Sequence, residues 1–161
     1  MEGVVEDYRF PAVETVYGGV PFRSRLEARW AAMFDLMGWR WQYEPVELDG
    51  WFPDFFVGYQ CNHSGCTNGQ PFMFHWFLAE VKPYRSIEQF AGHRANHYQW
   101  CREGWGGESC FWDGVMLCGL SHETCYWEGS HGWGGGVNHL HDFGDFSRQW
   151  QQAGAMTQWK R

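Results

Sequence analysis

Residues 72–82 read FMFHWFLAEVK, and this run constrains the fold more than any other stretch of the chain. Apart from His75, every residue before Glu80 is apolar or aromatic. The run lacks the apolar–polar alternation of a half-exposed strand, so it predicts a strand buried on both faces for most of its length. Such a strand needs a layer on each side, which points to a sheet covered by helices. It ends in Glu80 and Lys82, two residues apart. Strand residues alternate faces, so these opposite charges share one face while Val81 enters the opposite layer.

The surrounding segments supply the layers. In PFRSRLEARWAAMFDLMGW, apolar residues at Leu26, Trp30, Met33, Phe34 and Met37 follow helical spacing, with Ser24 as N-cap and Gly38 as terminator. WRWQYEPVEL and WFPDFFV, either side of Asp49-Gly50, read as a strand pair. Residues 58–72 form a polar, cysteine-bearing insertion, and SIEQFAGHRANHYQWC fits a helix that Gly92 weakens. DGVMLCGL reads as a short central strand, TCYWEGS as an edge strand, residues 129–144 as a glycine-rich loop and FSRQWQQAGAMTQWK as a closing helix. The order predicts one α/β domain over residues 1–161, a mixed central sheet flanked by helices.

Charge is distributed unevenly. The net charge of -7 argues against indiscriminate polyanion binding, yet eight of the 12 basic residues fall within residues 22–40 and 82–102. No run of 18 apolar residues and no apolar leader is present, so the expected location is the cytoplasm. The six cysteines then read as thiols or metal ligands rather than disulfides.

Asp54 lies between Pro53 and Phe55 in an aromatic stretch, an unfavourable place for an acid. If its strand neighbours that of Glu80, two carboxylates meet, and they repel unless a proton or cation is shared. Oxygen ligands of this kind select magnesium or manganese. Lys82 would orient a water or meet charge on a phosphate. Glu27 offers a further carboxylate from the first helix, although Arg23 four residues earlier gives it an ordinary ion-pair partner as well.

These residues occur in an order: R-x-R-x-E-A-R-W on a helix, then YEP, then PDF at 53–55, then EVKP at 80–83. That order resembles the PD-(D/E)XK nuclease superfamily, above all its small phage and bacterial endonucleases, and is also similar to transposon-end-cleaving members. It covers residues 22–84, about 40% of the chain. The resemblance implies a restriction-endonuclease-like core and a magnesium-dependent DNA endonuclease. Asp54, Glu80 and Glu27 would bind metal with the Val81 carbonyl, and Lys82 would position or activate the water. The insertion at 58–72 and the lack of a glutamine motif after EVKP depart from the pattern.

DNA is the expected partner, contacted by Arg23, Arg25, Arg85 and Arg94. A structure-selective role at a junction, flap, nick or end in phage or bacterial DNA processing follows, and a homodimer would serve if both strands are cut. His93 and His97, four apart, would face the same backbone. Cys61, His63 and Cys66 in CNHSGC form a partial zinc pattern near His75, with Cys101, Cys110, Cys118 or Cys125 as completing ligands. Trp105 and Trp133, among glycines, are candidate base-stacking residues. The competing reading is a noncatalytic nucleic-acid-binding or zinc-stabilised interaction module on the same fold.

Overall fold

The strand expected at 72–82 is β5 (Met73–Val81), the third strand of a six-stranded mixed sheet. This computed structural model describes residues 12–99, 111–131 and 134–158. The sheet runs β3 (Arg40–Tyr43), β4 (Phe55–Cys61), β5, β6 (Gly114–Cys118), β7 (Cys125–His131) and β8 (Gly134–His139). All neighbours are antiparallel except β5 and β6, which are parallel. The helices are α1 (Arg25–Leu36), the single turn α2 (Ser64–Thr67) and α3 (Ser147–Met156). A hairpin of β1 (Thr15–Tyr17) and β2 (Val20–Phe22) precedes α1, and the sequence pattern did not announce it.

Helix α1 begins where expected, with the Ser24 hydroxyl accepting the Glu27 N–H, and it stops before Gly38, whose φ of +73° suits a residue without Cβ. Its apolar stripe packs with α3 over one sheet face, on Phe55, Val57, Phe77, Ala79 and Val81. Leu78, Val115 and Leu117 point the other way and meet Trp51, Phe90 and Ala95. Alternation along β5 therefore sends Val81 into the α1 layer and leaves Glu80 on the opposite face.

Four segments differ from expectation. The helix expected over residues 86–101 is broken among the described residues 86–99: Ile87–Phe90 and Arg94–Tyr98 are separate 3₁₀ turns, because Ala91 is extended and Gly92 takes a φ of +79°. His93 and His97 consequently share no α-helical face. The glycine-rich stretch at 129–144 contains β8, which makes β7 an interior strand and β8 the edge. The insertion begins later than residue 58, since β4 runs on to Cys61. Asp54 sits immediately before β4 rather than within a strand. The turn at Asp49-Gly50 is present, closed by paired hydrogen bonds between Leu48 and Trp51 of 2.7 and 2.8 Å. Cys101, Cys110, Trp105 and Trp133 lie outside the described residues.

The α1–α3 layer rests on Trp30, fully buried, 4.8 Å from the Trp150 ring and donating its indole N–H to the Gly119 carbonyl at 2.9 Å. Arg29 adds a guanidinium 4.0 Å over the same Trp150 ring. Replacing Trp30 with alanine should cost about 3–5 kcal/mol, read as a lower urea midpoint at unchanged m-value.

Candidate active site at the end of the central strands

The β4–β5 register pairs Phe55 with Ala79, so Asp54 falls opposite Glu80, one step further along. Both acids are buried, 2% and 3% exposed. The Val81 N–H donates to Asp54 Oδ2 at 2.7 Å, a side-chain oxygen standing where a strand partner's carbonyl would continue the ladder. Arg23 Nη2 meets Asp54 Oδ1 at 3.0 Å. Glu80 is held on three sides: Lys82 Nζ at 2.6 Å and His93 Nε2 at 3.4 Å on Oε1, and the Trp51 indole N–H at 2.8 Å on Oε2.

Glu27 enters from α1 and is also buried, accepting the Tyr43 hydroxyl at 2.7 Å. The Tyr43 oxygen in turn accepts the backbone and guanidinium N–H of Arg23 at 3.2 and 3.3 Å. The expected ion pair between Arg23 and Glu27 does not form. Arg23 instead bridges Asp54 and Glu44 at 3.0 Å each.

Electrostatics separates the two central acids. Burial, reinforced by the charge of Glu80, pushes the Asp54 carboxyl up to about 7, against the opposing Val81 N–H. Burial acts on Glu80 in the same direction, but hydrogen bonds from His93, Lys82 and Trp51 outweigh it and hold Glu80 below the ordinary range. Lys82 is raised, its partner Glu80 overcoming the effect of burial. Tyr43 rises to about 12, chiefly through burial. The site thus holds one ionised acid beside a lysine and one acid that burial and a neighbouring charge keep protonated toward neutral pH.

Of the expected site residues, Asp54, Glu80, Val81 and Lys82 share the end of the β4–β5 pair, and Glu27 lies near Asp54 through Tyr43 and Arg23. Tyr43 and Trp51 were not anticipated, and His93, expected at a phosphate backbone, instead faces Glu80. Trp51 arrives through the Asp49-Gly50 turn and His93 through the break at Gly92. The His93 Nδ1 accepts the Ala95 N–H at 3.1 Å, which leaves Nε2–H to face Glu80. The arginines expected to contact DNA, Arg23, Arg25, Arg85 and Arg94, are all exposed. Arg94 also braces the turn, donating to the Gly50 carbonyl at 2.9 Å.

A second cluster lies at the other end of β4 and β5. Cys61, Cys66 and His75 bring their ligand atoms within 4.8 Å of one another and can hold a metal ion. Of the expected set Cys61, His63 and Cys66, the two thiols are in this group, and His75 joins them because its register partner Tyr59 lies two residues before Cys61. His63 stands beside the cluster, with Nδ1 3.8 Å from Cys66 Sγ. Cys118 and Cys125 pair with each other across β6 and β7, where Cys118 is also in register with Val81, so they belong to the opposite end of the sheet.

Comparison of the chain with protein-family models, with curated proteins and with solved structures finds no match. No helix among the described residues is long and apolar enough to cross a membrane.

The raised Asp54 carboxyl makes stability depend on pH. The native state keeps this proton up to about pH 7, whereas an unfolded aspartate loses it near 4, so wild-type stability falls as pH rises through that window. In buffer free of divalent metal, Asp54→Asn should melt several degrees above wild type at pH 8, and the gap should close toward pH 5. Thermal unfolding across that range checks it; equal melting temperatures at both ends would contradict the assigned protonation.

Proposed function

We propose that this chain is a metal-dependent deoxyribonuclease of the PD-(D/E)XK kind. The observation that carries the reading is the pair of buried carboxylates Asp54 and Glu80, in register at the start of β4 and the end of β5, with Lys82 Nζ 2.6 Å from Glu80 and Glu27 near enough to Asp54 to act on its charge. A scaffold without chemistry has little reason to bury three acids and a lysine at one place. The element order α1, three antiparallel strands, a connecting segment and a parallel β6 agrees with a restriction-endonuclease-like core.

The donor set fits a hard divalent cation. Two buried carboxylates that cannot both ionise cheaply, with the Asp54 carboxyl raised to about 7, are relieved when positive charge replaces the proton. Asp54, Glu80 and Glu27 would hold magnesium or manganese with the Val81 carbonyl. When bound, such an ion polarises a phosphoryl oxygen and acidifies water. Arg23 must yield Asp54 Oδ1 to make room, which frees its guanidinium for a phosphate. Lys82, fixed by Glu80, orients the attacking water and meets charge growing on the phosphate. The Nε2–H of His93 keeps Glu80 ionised, and Trp51 fixes the carboxylate's rotation.

Arg25 and Arg85, both exposed, would hold the DNA backbone, while the net charge of -7 disfavours indiscriminate binding. A substrate distinguished by structure, such as a junction, flap, nick or end in phage or bacterial DNA, suits that balance. A second copy would cut the second strand. The thiolate and imidazole cluster at the far end gives specific weight to one other reading, a noncatalytic, zinc-stabilised binding module.

Cleavage of branched, single-stranded and duplex DNA with magnesium or manganese separates the two readings. Wild type should cut at least one substrate; Asp54→Ala and Glu80→Gln should lose about 10³-fold in rate, and Lys82→Ala about 10²–10³-fold. Binding without cleavage by any of the proteins, whatever the metal, leaves the module.

A further inference from the structure

The remaining cluster lies away from the acids. Asp54 immediately precedes β4, and Cys61 follows it by seven steps along the chain, about 23 Å at strand rise. Cys61 closes β4, Cys66 projects from α2 just beyond, and His75 lies on β5. Together they join the strand pair to the only excursion between its strands. The Cys61 thiol reaches the side chains of both His75 and Cys66, and the His63 N–H donates to Cys61 Sγ at 3.4 Å.

The donor chemistry selects the ion. Thiolate and imidazole disfavour magnesium and calcium and favour zinc, which takes four such ligands tetrahedrally. Tetrahedral zinc places its ligand atoms about 3.5–3.8 Å apart, given bond lengths near 2.3 Å to sulfur and 2.0 Å to nitrogen. The ligand atoms of Cys61, Cys66 and His75, within 4.8 Å of one another, need only a small closure; His63 lies outside that group, with its Nδ1 3.8 Å from Cys66 Sγ, and must turn inward to complete the tetrahedron.

A second observation concerns His75. Its Nδ1 lies 3.7 Å from Asp113 Oδ2, which leaves Nε2 to face the thiols. Asp113 is itself fixed, its carboxylate accepting the Trp76 N–H at 2.8 Å and its own N–H donating to the Trp76 carbonyl at 2.7 Å. The position after it is Gly114, paired with Gly129, where a side chain would run into the Glu128 carbonyl. A carboxylate that orients a histidine from behind is the usual support of a metal-ligating imidazole. Here it is built from the turn into β6.

We propose that Cys61, Cys66 and His75 bind a zinc ion with His63 as fourth ligand, Asp113 orienting His75, and that the ion clamps the outer end of the β4–β5 hairpin. The role is structural: all four positions are filled by protein, which leaves none for a substrate. The hairpin that presents Asp54 and Glu80 at one end is then pinned at its other end.

Purified wild type should contain about one zinc per chain by elemental analysis. Cobalt substitution should give the thiolate charge-transfer and tetrahedral d–d absorption. Cys66→Ser, at a half-exposed position, should fold but lose both signals, and His63→Ala and Asp113→Asn should each weaken zinc binding about 10–100-fold. Chelation should lower the wild-type melting temperature and leave that of Cys66→Ser unchanged. A wild type with no more zinc than Cys66→Ser, or a Cys61–Cys66 disulfide in freshly purified protein, would overturn the proposal. None of these measurements involves DNA, and Asp54→Ala should keep its zinc, so the site stands or falls separately from the nuclease reading.

Discussion

The hydrogen bond from the Val81 N–H to the Asp54 carboxylate, at 2.7 Å, is the contact on which the acidic site depends. It ends the β4–β5 ladder with a side chain in place of a backbone carbonyl. The unfavourable position of Asp54, buried between Pro53 and Phe55, follows from that substitution. The same bond brings the acid up against Glu80, since the register admits only one residue opposite each position. Everything else at this end of the sheet manages the charge so gathered: Arg23 and Tyr43 on one side, Lys82, His93 and Trp51 on the other.

The partners are allotted unequally. Glu80 receives a lysine, an imidazole and an indole, while Asp54 receives one backbone N–H and an arginine 61% exposed to solvent. The asymmetry explains why two acids of similar burial have opposite tendencies, Glu80 ionised and Asp54 reluctant. Paired titratable groups whose surroundings drive them apart are a recurrent mark of reactive sites. It also gives a role to His93, which lies edge-on to the core rings of Trp51 and Phe90 and whose position depends on the break at Gly92.

Much of this was legible in the sequence. The Glu80–Lys82 spacing, the helix with its Ser24 cap, the strand pair around Asp49-Gly50 and the central strand at 114–118 are local patterns, and local physics decided them. What escaped had non-local causes. Residues 86–101 carry helical spacing, but Gly92 and the packing of Phe90 and Ala95 against Leu78 and Leu117 divide them into 3₁₀ turns. Strand β8 is rich in glycine and has no periodicity to detect; its pairing with β7 makes it a strand. His75 reads as an oddity inside an apolar run until the register places it beside Cys61, two positions from its partner Tyr59.

The length of β4 has an electrical consequence. The acid pair and the sulfur pair sit beyond opposite ends of one strand, about 23 Å apart, where two unit charges interact by only about 0.2–0.7 kcal/mol at effective dielectric constants of about 80 to 20. An ion gained or lost at one terminus is thus nearly invisible, as a charge, to the other. Any communication between them would have to be mechanical, carried by the stiffness of two strands zipped together along their whole span.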